Sequence, residues 1–271
     1  MSKDAPARRT ARASTNRVPI QRIAIGAGTA VVLIVIWHLA TTQLRLLSPT
    51  ALPSPESVVA RIVSLSYTPY LGETIWGHAW ASVQIVVGGW LLAGVVGTAL
   101  GVGMSWSPLV RNLTFPIFQM LRSVSPIAWI PIALVWLGID NSARIFIVFI
   151  AAVVPWTVNS MDAVRSVDPL LIRAAKTLGA GRRTLTEVVL PAGLPTLLAG
   201  ARIALGNAWT ALIAAELLAA VAGLGFVALN SSRVLDTPTM LAAMVIIGAL
   251  GVLFSFVMLR ISKVLAPWAK N

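Results

Sequence analysis

Apolar residues fall in long unbroken blocks along this chain, with neither strict alternation nor a narrow every-third-residue stripe. Residues 23–40 contain no Asp, Glu, Lys or Arg, and neither do residues 79–110. A helix needs about 20 apolar residues to cross the roughly 30 Å hydrocarbon layer of a bilayer. Six spans fit the pattern, at 22–42, 79–104, 113–137, 145–163, 194–221 and 238–260. A closed β-barrel also satisfies every backbone group in lipid, but it demands alternating segments of about ten residues. Residues 24–39 are apolar on all sides, so the expected fold class is an all-α membrane protein.

Composition strengthens this picture. Of 271 residues, 57% are hydrophobic and 11% charged, whereas a soluble domain carries roughly a quarter charged residues. A net charge of +12 on a soluble chain would suggest nucleic acid. In a membrane protein it reflects retention of Lys and Arg on the cytoplasmic side, so no nucleic-acid partner is expected. There are no cysteines and two histidines, which excludes disulfides and thiolate metal sites and leaves little for metal chemistry. His38, ending the first apolar run, and His78, preceding the second, read as interfacial side chains.

Charge also sets the expected sidedness. With both termini inside, fifteen of the 21 Lys and Arg residues lie on cytoplasmic segments. Residues 1–21, with Lys3, Arg8, Arg9, Arg12 and Arg17 against Asp4, form a basic, disordered cytoplasmic terminus. The apolar run that follows exceeds a signal peptide's core and lacks a small-x-small cleavage site, so 22–42 reads as a retained, peripheral anchor. The external connection 43–78 carries Leu52-Pro53-Ser54-Pro55-Glu56, a helix start with Pro55 in the first position. Val58, Val59, Ile62 and Leu65 follow at helical spacing, predicting an amphipathic helix on the outer surface. Residues 79–262 form the membrane core, and 263–271 a cytoplasmic tail.

Within the core, segment 164–193 is the most informative. Asp168 suits an N-cap and Pro169 the first helical position, with Leu170, Ala174 and Leu178 repeating on one face. Gly179 and Gly181 permit a turn other residues resist. A second short helix is expected to run to Pro191 and end there.

The order of these residues resembles the cytoplasmic signature of permease subunits of binding-protein-dependent ABC importers. Arg173-Ala174-Ala175, Gly179 and Leu190-Pro191 correspond to its Glu-Ala-Ala, Gly and Leu-Pro. Arg173 stands where the family usually has Glu, and the interval from Gly to Leu-Pro is about one residue short. The likeness extends over roughly 50–262 and is closest to the nitrate, sulfonate and taurine group. Its further carriers are Leu52-Pro53-Ser54-Pro55, Pro126 to Pro131 followed by Leu137-Gly138-Ile139, Ser166-Val167-Asp168-Pro169 and Ala215-Glu216.

The resemblance implies a type I importer permease with a coupling helix. Arg173, Ala174, Ala175, Lys176, Gly179, Ala180, Gly181, Arg182 and Arg183 would contact a cytosolic ATPase. It implies a homodimer in the bacterial inner membrane, two ATPase subunits and an extracytoplasmic binding protein. ATP and Mg belong to the ATPase, and this chain is expected to bind no cofactor. The chain has no Gly-x-x-x-x-Gly-Lys-Ser/Thr loop and is not expected to hydrolyse ATP itself.

Candidate pathway residues follow from polar groups inside spans, which are costly there unless they face a bundle interior or water. Span 5 places Arg202, Gly206, Trp209, Ile213 and Glu216 at intervals of three and four. Arg202 reads as snorkelling to the cytoplasmic interface; Glu216 suits either a gate or packing between helices. Span 3 offers Gln119, Arg122 and Ser123 before breaks at Pro126 and Pro131. Arg122 can attract an anion or snorkel. Gly97-x-x-x-Gly101 suits close helix contact.

The expected solute is small and anionic, sulfonate-, nitrate- or taurine-like or an organic acid. An ion-coupled secondary transporter is the alternative, but it calls for related halves and several intramembrane carboxylates. An intramembrane enzyme would need a nucleophile–base pair or metal ligands within spans, and no His or Cys stands there beyond His38.

Overall fold

The computed structural model describes residues 20–44 and 48–269, so the expected disorder of the basic terminus lies outside the described residues. The chain divides into two compact units, Met1–Pro55 and Glu56–Asn271. In the first, helix α1 (Ile20–His38) continues into a π-helical turn, Leu39–Gln43. Thr41 donates to the Trp37 carbonyl at 2.8 Å, and the Trp37 indole donates to the Pro53 carbonyl at 3.0 Å. Val31 to Ile36 are exposed, as suits side chains whose solvent is lipid. The first expected span is represented by the shorter apolar stretch Gly28–Gln43.

The second unit begins with the expected amphipathic helix, α2 (Pro55–Tyr67), which buries Val58 and Leu65. Helix α3 (Ile75–Trp106) is capped by Thr74, whose hydroxyl accepts from the Gly77 amide. Then come α4 (Pro108–Arg122), a 3₁₀ turn (Pro126–Trp129), α5 (Ile130–Leu137) and α6 (Asn141–Arg165). The remaining helices are α7 (Pro169–Thr177), α8 (Leu190–Ala219), α9 (Leu224–Arg233) and α10 (Thr237–Leu265). Among the described residues there is no strand, only one isolated bridge between Tyr70 and Glu73.

The core is the stack of α3 on α6 and α6 on α8, with α9 and α10 against α8. Small residues set the spacing. A Cβ on Gly97 would lie 2.7 Å from Trp156 Cβ, and one on Gly101 2.4 Å from the Thr157 carbonyl oxygen. The expected Gly97/Gly101 contact is thus made, against α6. Ala143, Ala151, Ala211 and Ala215 pack with Ile130, Ala133 and Ile147 in the same manner. In lipid, where apolar burial gives no advantage over acyl chains, such close backbone approach supplies the packing energy.

Two expectations are corrected. The third span, expected as one stretch over 113–137, is a pair of helices bent by 91°. Ser125 has ψ 134 because the ring of Pro126 excludes the helical conformation from the residue before it. Pro131 breaks nothing; it sits in the first turn of α5, where its missing N–H is not needed. By length and composition, four described helices can cross a membrane, or five counting the bent pair.

The second correction concerns Pro191. The segment after Gly181 does not end there. A 3₁₀ turn (Gly181–Arg183) leads into a π-helical stretch (Thr184–Val189) that runs on into α8, with Pro191 in its first turn. The continuous candidate span is Thr184–Leu218, 35 residues long.

Candidate functional site

At one end of α6 and α8, segment 164–193 forms a compact bracket. The Asp168 carboxylate accepts from the Leu170 amide at 2.8 Å, capping α7 as expected. After Thr177 the chain turns through Gly179, at φ +83, with the Ala180 amide donating to the Ala175 carbonyl at 3.0 Å. Only glycine adopts this conformation without strain. Val164, Val167 and Val189 are buried together, with Ile172 and Leu185 packed on them, fixing the bracket to the ends of α6 and α8. Ala175 is buried.

What the bracket leaves outside is mixed in character. Arg173, Ala174, Lys176 and Arg183 are exposed, and so are Leu170, Leu171 and Leu178, the last at 87%. Ala180 is half-buried and Gly181, at φ +48, is exposed. The side chain of Arg182 lies outside the described set.

The opposite end is closed by a buried polar knot. Glu216 is 1% exposed. Its Oε1 accepts from Ser82 Oγ at 2.6 Å and its Oε2 from the Gly225 amide at 2.9 Å. Ser82 Oγ in turn accepts from the Leu224 amide, and His78 Nδ1 accepts from the Gly223 amide. His78 Nε2 meets the Tyr70 carbonyl at 2.8 Å. Buried Arg144 donates to the Ala222 carbonyl at 2.8 Å and to the Asn141 side chain, within electrostatic reach of Glu216. The loop before α9 fits because Gly223, at φ +127, has no side chain; a Cβ there would lie 2.3 Å from Glu216 Oε1.

One sequence expectation changes here. His78, expected as an interfacial side chain, is 1% exposed, and Arg144 is 3% exposed. Both are buried because the loop between α8 and α9 folds over them, and that contact spans more than 75 positions in the chain. Ser82 and Gly223 were missed altogether. Their only local signal is the i, i+4 spacing of His78 and Ser82 and the Gly-x-Gly pair after Glu216.

Outside the spans, Asp236 caps α10 and ties α2 to it. Its carboxylate accepts from the Thr239 amide and hydroxyl and from Arg61 Nη2, the last at 3.0 Å. Partial burial pushes the Asp236 carboxyl up, but Thr239's hydrogen bonds and the charge and hydrogen bond of Arg61 outweigh it. The group is held below its ordinary value. Arg61 also lies 5.8 Å from the Tyr70 ring centroid.

The expected pathway residues do not form one cluster. Gln119, Arg122 and Ser123 are exposed at the end of α4, where Ser123 Oγ donates to the Gln119 carbonyl. Trp209 is buried against α10, its indole donating to the Ile247 carbonyl and stacking edgewise on Phe254 at 5.1 Å. Glu216 belongs to the knot. Among the described residues no hydrogen bond joins these three groups.

A Gly-spaced helical core, a bent third span and a capped bracket between the fourth and fifth spans together define a multi-pass helical membrane protein. The chain matches the family described as "Binding-protein-dependent transport system inner membrane component" over residues 91–271, and it belongs to that family. It is 34% identical to the taurine transport system permease protein TauC of Escherichia coli (strain K12) over 255 residues. That alignment covers 93% of this chain and 92% of that protein. The putative aliphatic sulfonates transport permease protein SsuC of Escherichia coli (strain K12) is 33% identical, over 81% of this chain and 82% of its own length. The bicarbonate transport system permease protein CmpB of Synechocystis sp. is 34% identical, over 73% and 71%.

A solved structure of the MetNI methionine ABC transporter in an inward-facing form shares the fold. Its TM-score is 0.61 at 22% identity, covering 69% of this chain and 93% of that chain. The chain is therefore the transmembrane permease subunit of an ABC importer, a multi-pass protein of the inner membrane. An ion-coupled secondary transporter is not favoured.

Proposed function

We propose that two copies of this chain form the path for a small oxyanion-bearing solute, a sulfonate first of all, and that two separate ATPase subunits drive them through the bracket 164–193. A binding protein delivers the solute from outside, and ATP and Mg are held by the ATPases. Both termini and the bracket lie on the cytoplasmic side; α2, α9 and the Glu216 knot lie outside. The distribution of Lys and Arg supports this orientation.

The observation that carries the reading is the bracket itself. Its spine is buried valine, while Arg173, Lys176, Leu170 and Leu178 project from it unsupported. A rigid element transmits displacement, whereas a loose loop absorbs it. Exposed leucines ringed by cations suit a groove on a partner whose rim is acidic. The solute class is supported by the relatives, whose names specify taurine, aliphatic sulfonates and bicarbonate. Each of these solutes carries a small anionic oxygen group. The permease path gives a second support, since Arg122 is exposed on a span.

The test is reconstitution in proteoliposomes with the cognate ATPase and binding protein, measuring uptake of radiolabelled taurine and ATP hydrolysis. Uptake should require ATP inside and binding protein outside. A Gly179→Asp variant, in which an Asp must take φ +83, should keep its helical content yet lose binding-protein-stimulated hydrolysis. Uptake driven by an ion gradient in vesicles without any ATPase would overturn the proposal.

A further inference from the structure

Two cavities between α8 and α10 meet at Arg202. One, of about 160 Å³, lies at the end of the bundle that carries the bracket and is bordered by Leu198, Arg202, Leu259, Lys263 and Ala266, among others. The other, of about 240 Å³, continues from Arg202 along Leu205, Gly206 and Trp209 of α8 and Gly251 and Phe254 of α10. Lys263 is in the last turn of α10, and Trp268 just beyond it is 56% exposed, as suits an indole at a membrane–water boundary. The first cavity therefore opens near the bilayer surface. From Lys263 back to Gly251 is twelve positions, or about 18 Å of helix, close to half of the roughly 30 Å hydrocarbon layer. Arg202 joins the two levels, its stem along apolar wall and its head in the cavity that Lys263 shares.

The two ends of this groove differ in chemistry. At the surface end no carboxylate lines the cavity, and among the described residues neither Arg202 nor Lys263 has a hydrogen bond or an ion pair. Ser262 spends its hydroxyl on the Met258 carbonyl at 2.8 Å, which leaves the two cations as the donors there. At the inner end the room comes from glycine. A Cβ on Gly206 would meet nothing within 4 Å, and one on Gly251 would touch the Trp209 indole at 3.3 Å. Trp209 is fixed by its bond to the Ile247 carbonyl and by Phe254. Thr210 donates to the Gly206 carbonyl, so the walls are apolar apart from the Ser255 hydroxyl. The groove also opens on lipid. Only 17% of the apolar window of α10 is buried, against 33–50% in the other three long spans, and Val252, Leu253 and Phe256 are exposed beside it.

We infer that this groove holds one phospholipid with an anionic headgroup, its phosphate between Arg202 and Lys263 and an acyl chain along Gly206, Trp209 and Gly251. Basic pockets between transmembrane helices bind such headgroups. A zwitterionic lipid offers the same phosphate but adds an ammonium group, which two uncompensated cations repel. The inference requires only that the chain spans a bilayer, and it stands apart from the proposed solute path. Because α8 runs on from the bracket, the lipid would tie the helix that carries the bracket to α10.

The test is native mass spectrometry of the full chain released from nanodiscs of mixed phosphatidylcholine and phosphatidylglycerol, with circular dichroism to show that each variant keeps its helices. Wild type should retain phosphatidylglycerol in preference to phosphatidylcholine. Arg202→Gln and Lys263→Gln should each weaken that retention about fivefold, and the double variant more than tenfold. Gly206→Leu keeps both cations and fills the groove, and it should release the lipid as well. Arg260→Gln is the control: Arg260 lies over the Phe256 ring and borders neither cavity, so retention should not change. A loss in Arg260→Gln equal to that in Arg202→Gln would mean that only the general positive charge of this end attracts lipid, and the inference would fall. Equal retention of the two lipids, or a double variant that holds phosphatidylglycerol like wild type, would overturn it too. Glycerol 3-phosphate and taurine, anions without acyl chains, should not displace the lipid; displacement by either would make this a site for soluble anions instead. A wild-type dimer without lipid, whose chains separate in Gly206→Leu, would show that the second copy fills the groove, which also overturns the inference.

Discussion

Glu216, Ser82, His78 and Arg144 sit at one end of α6 and α8; Arg173, Lys176, Leu170 and Leu178 sit at the other. In the first group the protein supplies its own partners, down to backbone amides of the Gly223–Gly225 loop. In the second, cations and leucines are left outside a small valine core. The difference teaches what each end is for. Buried polar groups that complete one another hold three helices and a loop in one arrangement. Polar and apolar groups left uncovered at a rigid element are complete only with another molecule.

The sharpest way to break this comparison is at the knot. Glu216→Ala leaves the Ser82 hydroxyl and the Gly225 amide without their acceptor and removes the negative charge near buried Arg144, at a cost of about 3–5 kcal/mol. Gly223→Ala, whose Cβ would meet the Glu216 carboxylate at 2.3 Å, should be comparably damaging. Thermal unfolding in detergent should show both as large losses, with Glu216→Gln milder. Unfolding midpoints equal to wild type would mean that the knot does not hold the fold.

The bracket should respond in the opposite sense. Leu178→Ser, at a residue 87% exposed, should change stability by less than about 0.5 kcal/mol. It should weaken co-purification with the ATPase by about 1–2 kcal/mol, or roughly tenfold, as truncating an interface anchor does. Stability loss without loss of association would place Leu178 in the core of the fold instead.

The smallest effect lies between α2 and α10. Asp236→Asn removes a partly exposed ion pair with Arg61, worth about 0.2–1 kcal/mol. Because the folded-state pKa of Asp236 is lowered, its contribution is fully present above the unfolded value near 3.9 and is lost as pH falls through the folded value. Wild type should therefore lose stability relative to Asp236→Asn only at strongly acidic pH, and the two should converge there. A difference that persists undiminished at strongly acidic pH would mean that the Asp236 charge is not its source.

Much of the bracket was legible in the chain, because its determinants are local. Asp168 before Pro169 is a cap in any context, and Gly179 permits a turn that few other residues tolerate. The same local reasoning misplaced Pro191. A proline is equally at home just inside a helix start, and only the helical stretch preceding it shows which role it plays. It also treated 113–137 as one span, since hydropathy summed over a window is blind to a single extended residue such as Ser125.

By itself the amino-acid sequence determined the membrane class, the extent of most spans, the sidedness expected from charge and the site of the bracket. These depend on transfer of residues into lipid and on backbone preferences within a few positions. Tertiary structure alone decided that His78 and Arg144 are buried, that Glu216 is buried and accepts from Ser82, and that Arg202 borders a cavity beside α10. Ser82 and Glu216 are 134 positions apart. No local pattern encodes such a meeting, because it depends on which faces of α3, α6, α8 and α10 turn toward one another once the small residues have set their distance.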